Sequence, residues 1–597
     1  MERIARLNAA PLALFEHDRQ RLVLALADGL AVLEKDTLTY LDRGPINGVA
    51  QAPDRSYYCT RGDRIVRLDI ERGGQLEDVT ARFAGRPQGR RQVVCTGDGD
   101  LWVEGCTTRL LPNGRFAANP VALTTEWAPA AREVDIYGNR WSLAEGSRGR
   151  QVLVSPASAS DEWQVSGLAS GRWEYLIADS VGYIWVAGPD GWWRFCPRQA
   201  EAGWQAITSP LPSSAVTAVG YSPADLVMAA FADGALLELD ATAGADTVVR
   251  SLGTTPSPGR CILTDRAGAI WVATDEGVYR REPATDAWQR TWEKQRGRLP
   301  GGGNHDIFAA ACQGRLYVAG GWAGQWGLPV RDHVPDALLA YDPRTECWEM
   351  VSRMHMPRRY NGIAALDGRV WVVGGETRFV GRGEPHQALY LVDVYDPASG
   401  TWSAGPSLNH VRTDPFVVTC NGRIYAIGGA RHNAGPALDT VESIGPGDRA
   451  WRCETPLPRP TRQGHACALD GVIYCFSIDG AFAFDTVRGC WDEAFPQPGE
   501  IGQGPLAAAW KGEVWLIGGY EDRRIRCFDP RSRTWRPGPD LPTEQAWAAA
   551  EVLDDRLLII GGARYSQAHG AIVFDDRTYV LRAGLAEGRS EGGHRVA

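Results

Sequence analysis

Leu316-Tyr-Val-Ala-Gly-Gly321, Val370-Trp-Val-Val-Gly-Gly375, Ile424-Tyr-Ala-Ile-Gly-Gly429, Val514-Trp-Leu-Ile-Gly-Gly519 and Leu557-Leu-Ile-Ile-Gly-Gly562 are five copies of one phrase, a short apolar run closed by a glycine pair. A sixth copy, Val472-Ile-Tyr-Cys-Phe-Ser-Ile478, has lost both glycines, and with it the copies recur at 41–54-residue spacing. Runs this short, rich in Val, Ile, Tyr and Trp and bounded by Gly, Pro, Asp and Asn, are strands. Most copies continue into an Asp followed six residues later by a Trp: Asp342 and Trp348, Asp396 and Trp402, Asp485 and Trp491, Asp529 and Trp535. In the third copy Gly445 replaces the Asp before Trp451, and the last has Asp575 without the Trp. One such unit cannot bury both faces of its own sheet, whereas a closed ring of them buries every face and removes most free edges.

This pattern resembles the Kelch repeat over nearly half the chain. The resemblance implies a six-bladed β-propeller with four antiparallel strands per blade.

Residues 1–293 carry a second, weaker repeat: Asp135-Ile-Tyr-Gly-Asn-Arg-Trp141, Asp179-Ser-Val-Gly-Tyr-Ile-Trp185, Asp265-Arg-Ala-Gly-Ala-Ile-Trp271 and the partial Gly99-Asp-Leu-Trp102. In a D-x-x-G turn the glycine takes a positive φ and the aspartate bonds its own turn amides. The stretch Asp265–Arg280 looks like the propeller repeat in sensor regions of hybrid two-component regulators. Seven units begin near Pro11, Pro45, Arg90, Ala130, Arg172, Ala215 and Pro258. No kinase or DNA-binding segment follows them here, so the signalling role does not carry over. The expected fold is all-β: two tandem β-propellers, an N-terminal seven-bladed ring over 1–293 and a C-terminal six-bladed Kelch-type ring over 305–585. Residues 294–304 form the linker and 586–597 a frayed tail.

Composition narrows function. The chain has 597 residues, too many for a single core, with 69 Gly, 37 Pro and 23 Trp, which suits a turn-dense β protein. A net charge of -9 argues against a nucleic-acid partner, which needs a basic face. No apolar run is long enough to span a membrane, and none near the N-terminus suits a signal peptide. The 13 cysteines are scattered without C-x-x-C pairs, so neither structural zinc nor a disulfide framework is expected, and a cytoplasmic location is the default.

The candidate site is the mouth of the second ring. In Kelch rings the loops into the first strand and between the second and third strands share one face. Aligning the blades on the glycine before each second strand places His305, Arg359, Arg412, Arg462, Gln503 and Ala546 around that mouth. In Kelch adaptor proteins the matching arginines hold acidic partners. Arg359, Arg412 and Arg462 are therefore the candidates for an anionic small molecule or an acidic peptide or protein, since converging guanidiniums hold a carboxylate or phosphate bidentately. The alternative is that they bridge blades as ion pairs, and Asp414 beside Arg412 reads as such a pair. The long loops 322–336 and 376–388 supply Trp322, Trp326, Arg378, Phe379, Arg382 and His386, the makings of a lid or recognition surface.

Eight of the ten histidines, His305 and His465 among them, fall in loops expected on that same face. With Tyr360, Asp414 and Tyr565 nearby, His305 and His465 are candidates for acid–base catalysis. The plain reading is exposed polar loops. No metal-binding motif is present, so no cofactor is expected, a loop-borne metal being the remote alternative. The acidic turns of the first ring (Asp98, Asp100, Asp135, Asp190, Asp275) need no calcium, because the turns themselves use the carboxylates. Two functions remain: recognition of an anionic ligand, or an enzyme of isomerase, lyase or tailoring type using the same pocket.

Overall fold

The computed structural model describes residues 1–581 except 19, 53, 72–73, 85–92, 96–100, 104–105, 107, 111–115, 119–128, 136–138, 145–148, 156–163, 180–181, 208–210, 223–225, 241–247, 266–267, 283–291, 296–297, 301–303, 323–335, 378–386, 433–434, 542 and 567–570. No helix among them is long and apolar enough to cross a membrane.

The described residues form an all-β protein of four-stranded antiparallel sheets, with two small two-stranded hairpins. Seven four-stranded sheets are built from residues 2–281, and the last of them takes Glu2–Arg6 as its outer strand beside Gly277–Arg281. Six more are built from 292–581. In the last of these, Trp292–Lys294 pairs with Thr578–Leu581 as the outer strand, so this stretch completes the second ring rather than ending the first. In each set the inner strands touch their neighbours and the last touches the first, which closes two rings. A strand from the opposite end of its own sequence thus ties each ring shut.

The repeats explain the packing. In the first ring, Asp179 Oδ1 accepts the amide of Tyr183 at 2.9 Å while Oδ2 accepts the Trp185 indole N–H at 2.7 Å. Asp135 treats Asn139 and Trp141 the same way, and Asp265 treats Ala269 and Trp271 so. Both oxygens are consumed within one sheet. Asp190 and Asp275 are taken by Arg172 and Arg260. In the second ring the lock runs between sheets: the second glycine of four pairs donates its amide to the carbonyl of the next blade's lead-in segment (Gly375 to Arg412, Gly429 to Thr461, Gly519 to Gln545, Gly562 to Asn304; 2.8–3.1 Å). At Gly375, φ is +93° and a Cβ would lie 2.7 Å from the Arg359 carbonyl oxygen, so only glycine fits. The repeat tryptophans reach back to the preceding blade: Trp402 to Ser352 Oγ, Trp491 to the Thr455 carbonyl and Trp535 to the Pro496 carbonyl.

The two rings touch. Arg55 meets Glu346 at 3.4 Å, and Arg298 of the connecting segment lies 3.6 Å from Asp576 and over the Tyr221 ring. The described cysteines form no disulfide.

Candidate functional site

Each blade of the second ring opens with a lead-in segment that crosses the mouth before the inner strand begins, and three successive positions in it have different fates. The middle position bridges to the residue following the glycine pair: His305 to Trp322, Arg359 to Glu376, Thr413 to Ala430 and Ala546 to Ala563, with the Gln503 carbonyl accepting the Tyr520 amide in the same way. Arg462, one residue past Thr461, completes that set. Thr413, not Arg412, therefore holds the third station, and the alignment made from the sequence was one residue out in that blade.

That single step decides the fate of Arg412. It occupies the preceding position, equivalent to Arg358, and is fully buried. Its guanidinium donates to the Ala426, Gly428 and Thr440 carbonyls and pairs with Glu442. Arg358 pairs likewise with Asp393. Arg412 is an internal strut of its blade and does not pair with Asp414. Arg359 is also buried: Nη2 lies 2.8 Å from Glu376, and the guanidinium stacks over Trp322 at 4.2 Å and Tyr360 at 4.9 Å. The ion-pair alternative thus describes both, although each pair lies within one blade.

The following position carries the side chains that meet over the axis. Asp306, Tyr360, Asp414, Gln463, Gly504 and Trp547 all take left-handed backbone, with φ between 52° and 59°. Six blades repeat one left-handed turn; Gly504 carries no side chain there, while those of Asp306, Tyr360 and Asp414 lie close enough to act on one another's charge. Asp306, Gln463 and Trp547 escaped the sequence reading; their signal was position, one residue past each aligned site. Asp414 is 8% exposed, and burial, with Asp306 and Glu376 nearby, holds its carboxyl well above the usual carboxylate range against the opposing pull of Arg462 and Arg359. Burial, with Asp306 second, also raises the Tyr360 hydroxyl. Arg462 is half-buried and makes no ion pair among the described residues. Trp547 stands 5.8 Å from Tyr520, and both are half-buried.

The histidines do not gather at the mouth as expected. His305 does lie there, 3% exposed, stacked against Trp322 at 5.4 Å and tilted against Phe574 at 4.1 Å. Asp306 Oδ2 is 2.7 Å from its Nδ1 without the alignment of a hydrogen bond. His465 lies in an inner strand, Gly464–Leu469, and lines the bore below the mouth. Its Nδ1 accepts the Ala507 amide at 3.2 Å, and burial lowers its pKa to about 4. A base so weak is neutral near neutral pH. His410 pairs with Glu442 at 3.1 Å, and His355 sits near Trp402. Gln503 is exposed. Trp326, Arg378, Arg382 and His386, with His333 and His569, lie outside the described residues, as does the side chain of Tyr565, whose backbone pairs with Ile572.

With this geometry in hand, comparison with known proteins places Kelch motifs at residues 305–355, 357–409 and 412–458. The chain is similar to Kelch-like protein 35 of Mus musculus, 27% identical over 250 residues covering 41% of this chain and 40% of that one. It is similar also to Beta-scruin of Limulus polyphemus, 25% identical over 242 residues covering 39% of this chain and 22% of that one. The match thus takes in well under half the length of these relatives. Among solved structures, that of YjhT aligns over 48% of this chain and 99% of its own at 16% identity, with a TM-score of 0.39. The C-terminal region is a Kelch-repeat β-propeller.

Proposed function

We propose that this protein is a recognition module whose second ring takes an acidic group, from a peptide or a small molecule, at its mouth, with Arg462 as the anchor. The carrying observation is the division of labour among the arginines. Arg359 and Arg412 are buried against their own glutamates, whereas Arg462 is half-buried with no ion pair among the described residues. Its charged neighbour in the preceding blade, Asp414, is held toward the neutral form by burial, so it leaves much of the guanidinium's charge uncompensated. A guanidinium in such a half-dry site prefers a bidentate carboxylate or phosphate to water. Trp547 and Tyr520, 5.8 Å apart in the two blades that follow, offer an aromatic wall for the rest of the ligand.

The enzyme reading loses its second histidine, because His465 belongs to the bore and is a weak base. His305 with Asp306 remains the pair that would serve it.

The test is a thermal-shift and calorimetric screen of carboxylates, phosphates and acidic peptides on wild type, Arg462→Ala and Arg462→Lys. A ligand that stabilises wild type is expected to bind Arg462→Ala at least tenfold more weakly and Arg462→Lys in between. The unliganded variants are expected to melt within about 0.5 kcal/mol of wild type, because Arg462 supports no internal pair. Hits that bind all three proteins equally place the ligand elsewhere.

A further inference from the structure

The inner strands of the second ring enclose a cavity of about 270 Å³. At about 30 Å³ per water this is room for roughly nine waters. Its wall is mostly alanine. Counted back from the hairpin that ends each inner strand, one tier of side chains reads Ala310, Ala364, Val418, Cys467, Ala508 and Glu551. Five small or apolar residues share that tier with a single acid. Glu551 is half-buried, accepts one hydrogen bond from the Val552 amide at 2.9 Å, and has no ion pair among the described residues. Burial pushes its carboxyl up to about 7.

His465 stands on the same wall, its ring stacked on Phe308 at 5.2 Å. Because Nδ1 accepts the Ala507 amide, the ring proton sits on Nε2, which bonds to none of the described residues. The bore thus offers one acid and one neutral N–H donor on an apolar lining.

The first ring shows how this chain satisfies such an acid. Glu133, in the inner strand Pro129–Val134, accepts the Tyr221 hydroxyl at 3.2 Å from another inner strand. Arg298 lies 5.4 Å above the Tyr221 ring, and its charge, then that of Arg577, opposes the burial that raises Glu133. A cation from the inter-ring junction attends the acid of the first bore, and among the described residues none attends that of the second.

We propose that the bore of the second ring binds a small organic cation, a protonated amine that also carries an oxygen acceptor. Its ammonium pairs with Glu551, its oxygen takes the Nε2–H of His465, and its methylenes lie against the alanines and the Phe308 ring. An anion is disfavoured by the lone carboxylate. A metal ion lacks donors here: among the described residues the one cluster with three suitable ligand atoms is His17, Asp18 and Glu71 of the first ring. The bore site is separate from the Arg462 site and stands whether or not that one binds.

The test is calorimetry at about pH 8, where an alkylamine is still protonated, with ethanolamine, propylamine and ethylene glycol as probes. Ethanolamine is expected to bind wild type, propylamine several-fold more weakly, and ethylene glycol not at all. Glu551→Gln, close to isosteric, is expected to weaken ethanolamine at least tenfold. So is Ala509→Leu, which fills the bore without touching the acid. Arg462→Ala is expected to bind as wild type. In wild type, ethanolamine is expected to shift the His465 ring resonances. The proposal is overturned if wild type takes up no amine, if Glu551→Gln binds ethanolamine as wild type does, or if binding follows Arg462 instead.

Discussion

The two rings hold the same kind of sheet together with opposite strategies. In the first, the repeated carboxylate is spent inside its own blade, as where Asp179 takes a turn amide and an indole six residues on. In the second, the repeated glycine pair reaches out of its blade to the next one's lead-in carbonyl, as from Gly375 to Arg412. A local lock makes each blade self-sufficient and leaves the lead-in segments free to vary. A lock between blades fixes those segments over the axis, each in the same left-handed turn, and so builds a mouth. The ring whose repeat spans blades is the one with a candidate site.

That contrast is breakable, most severely at the struts under the mouth. Arg412→Ala strips the buried Glu442 of its guanidinium and leaves it only the His410 ring and the Asn409 and His410 amides, which costs about 3 kcal/mol; denaturant titration is expected to show the loss in the second ring's transition. Asp179→Ala strands a buried indole N–H and a turn amide, about 3 kcal/mol, and the loss is expected in the first ring alone, read from Trp185 fluorescence and from hydrogen exchange at Tyr183. Gly375→Ala forces a Cβ against the Arg359 carbonyl in left-handed backbone, about 2 kcal/mol. Hydrogen exchange is expected to rise in both of the blades it joins, whereas the effect of Asp179→Ala stays within one.

The smallest effect separates the two bores and depends on pH. Glu551 ordinarily titrates near 4.5 and is raised to about 7 in the fold. The folded protein therefore holds a proton that the unfolded chain has released, so this group's contribution is full below 4.5 and is lost as pH rises through 7. Glu551→Gln is expected to be more stable than wild type above pH 7, by up to roughly 2 kcal/mol after discounting for its partial exposure. The advantage fades as pH falls toward 4.5. Melting curves of the two proteins across that range check it; parallel curves would mean that Glu551 already has a cationic partner. Glu133 is also raised to about 7, and comparing the two proteins cancels its share.

The repeats made the architecture legible. The LYVAGG-type runs are the second strands of their sheets, and the Asp-to-Trp spacing in each ring marks a turn and the indole that caps it or its neighbour. The site was only half legible. Arg359, Tyr360, Asp414, His305 and Arg462 do meet at the mouth, while Arg412 and His465 do not. The two failures have different causes: the sequence reads His465 as a loop residue and it lies in an inner strand, whereas Arg412 falls to the alignment. In the lead-in segment, neighbouring residues point to different places, so an alignment one residue out exchanges a buried strut for a mouth side chain.

What the sequence by itself determined was the sheet, its repetition and its closure, because strand pairing is set by short periodic runs and glycines with a required backbone. What only the tertiary structure decided was which charges remain available. Whether an arginine is spent or free depends on carboxylates that lie near it only once the ring closes: Glu442, 30 residues from Arg412 in the chain, and Glu376, 17 from Arg359. Glu551 reads as an ordinary strand residue until five other blades surround it with alanine, valine and cysteine.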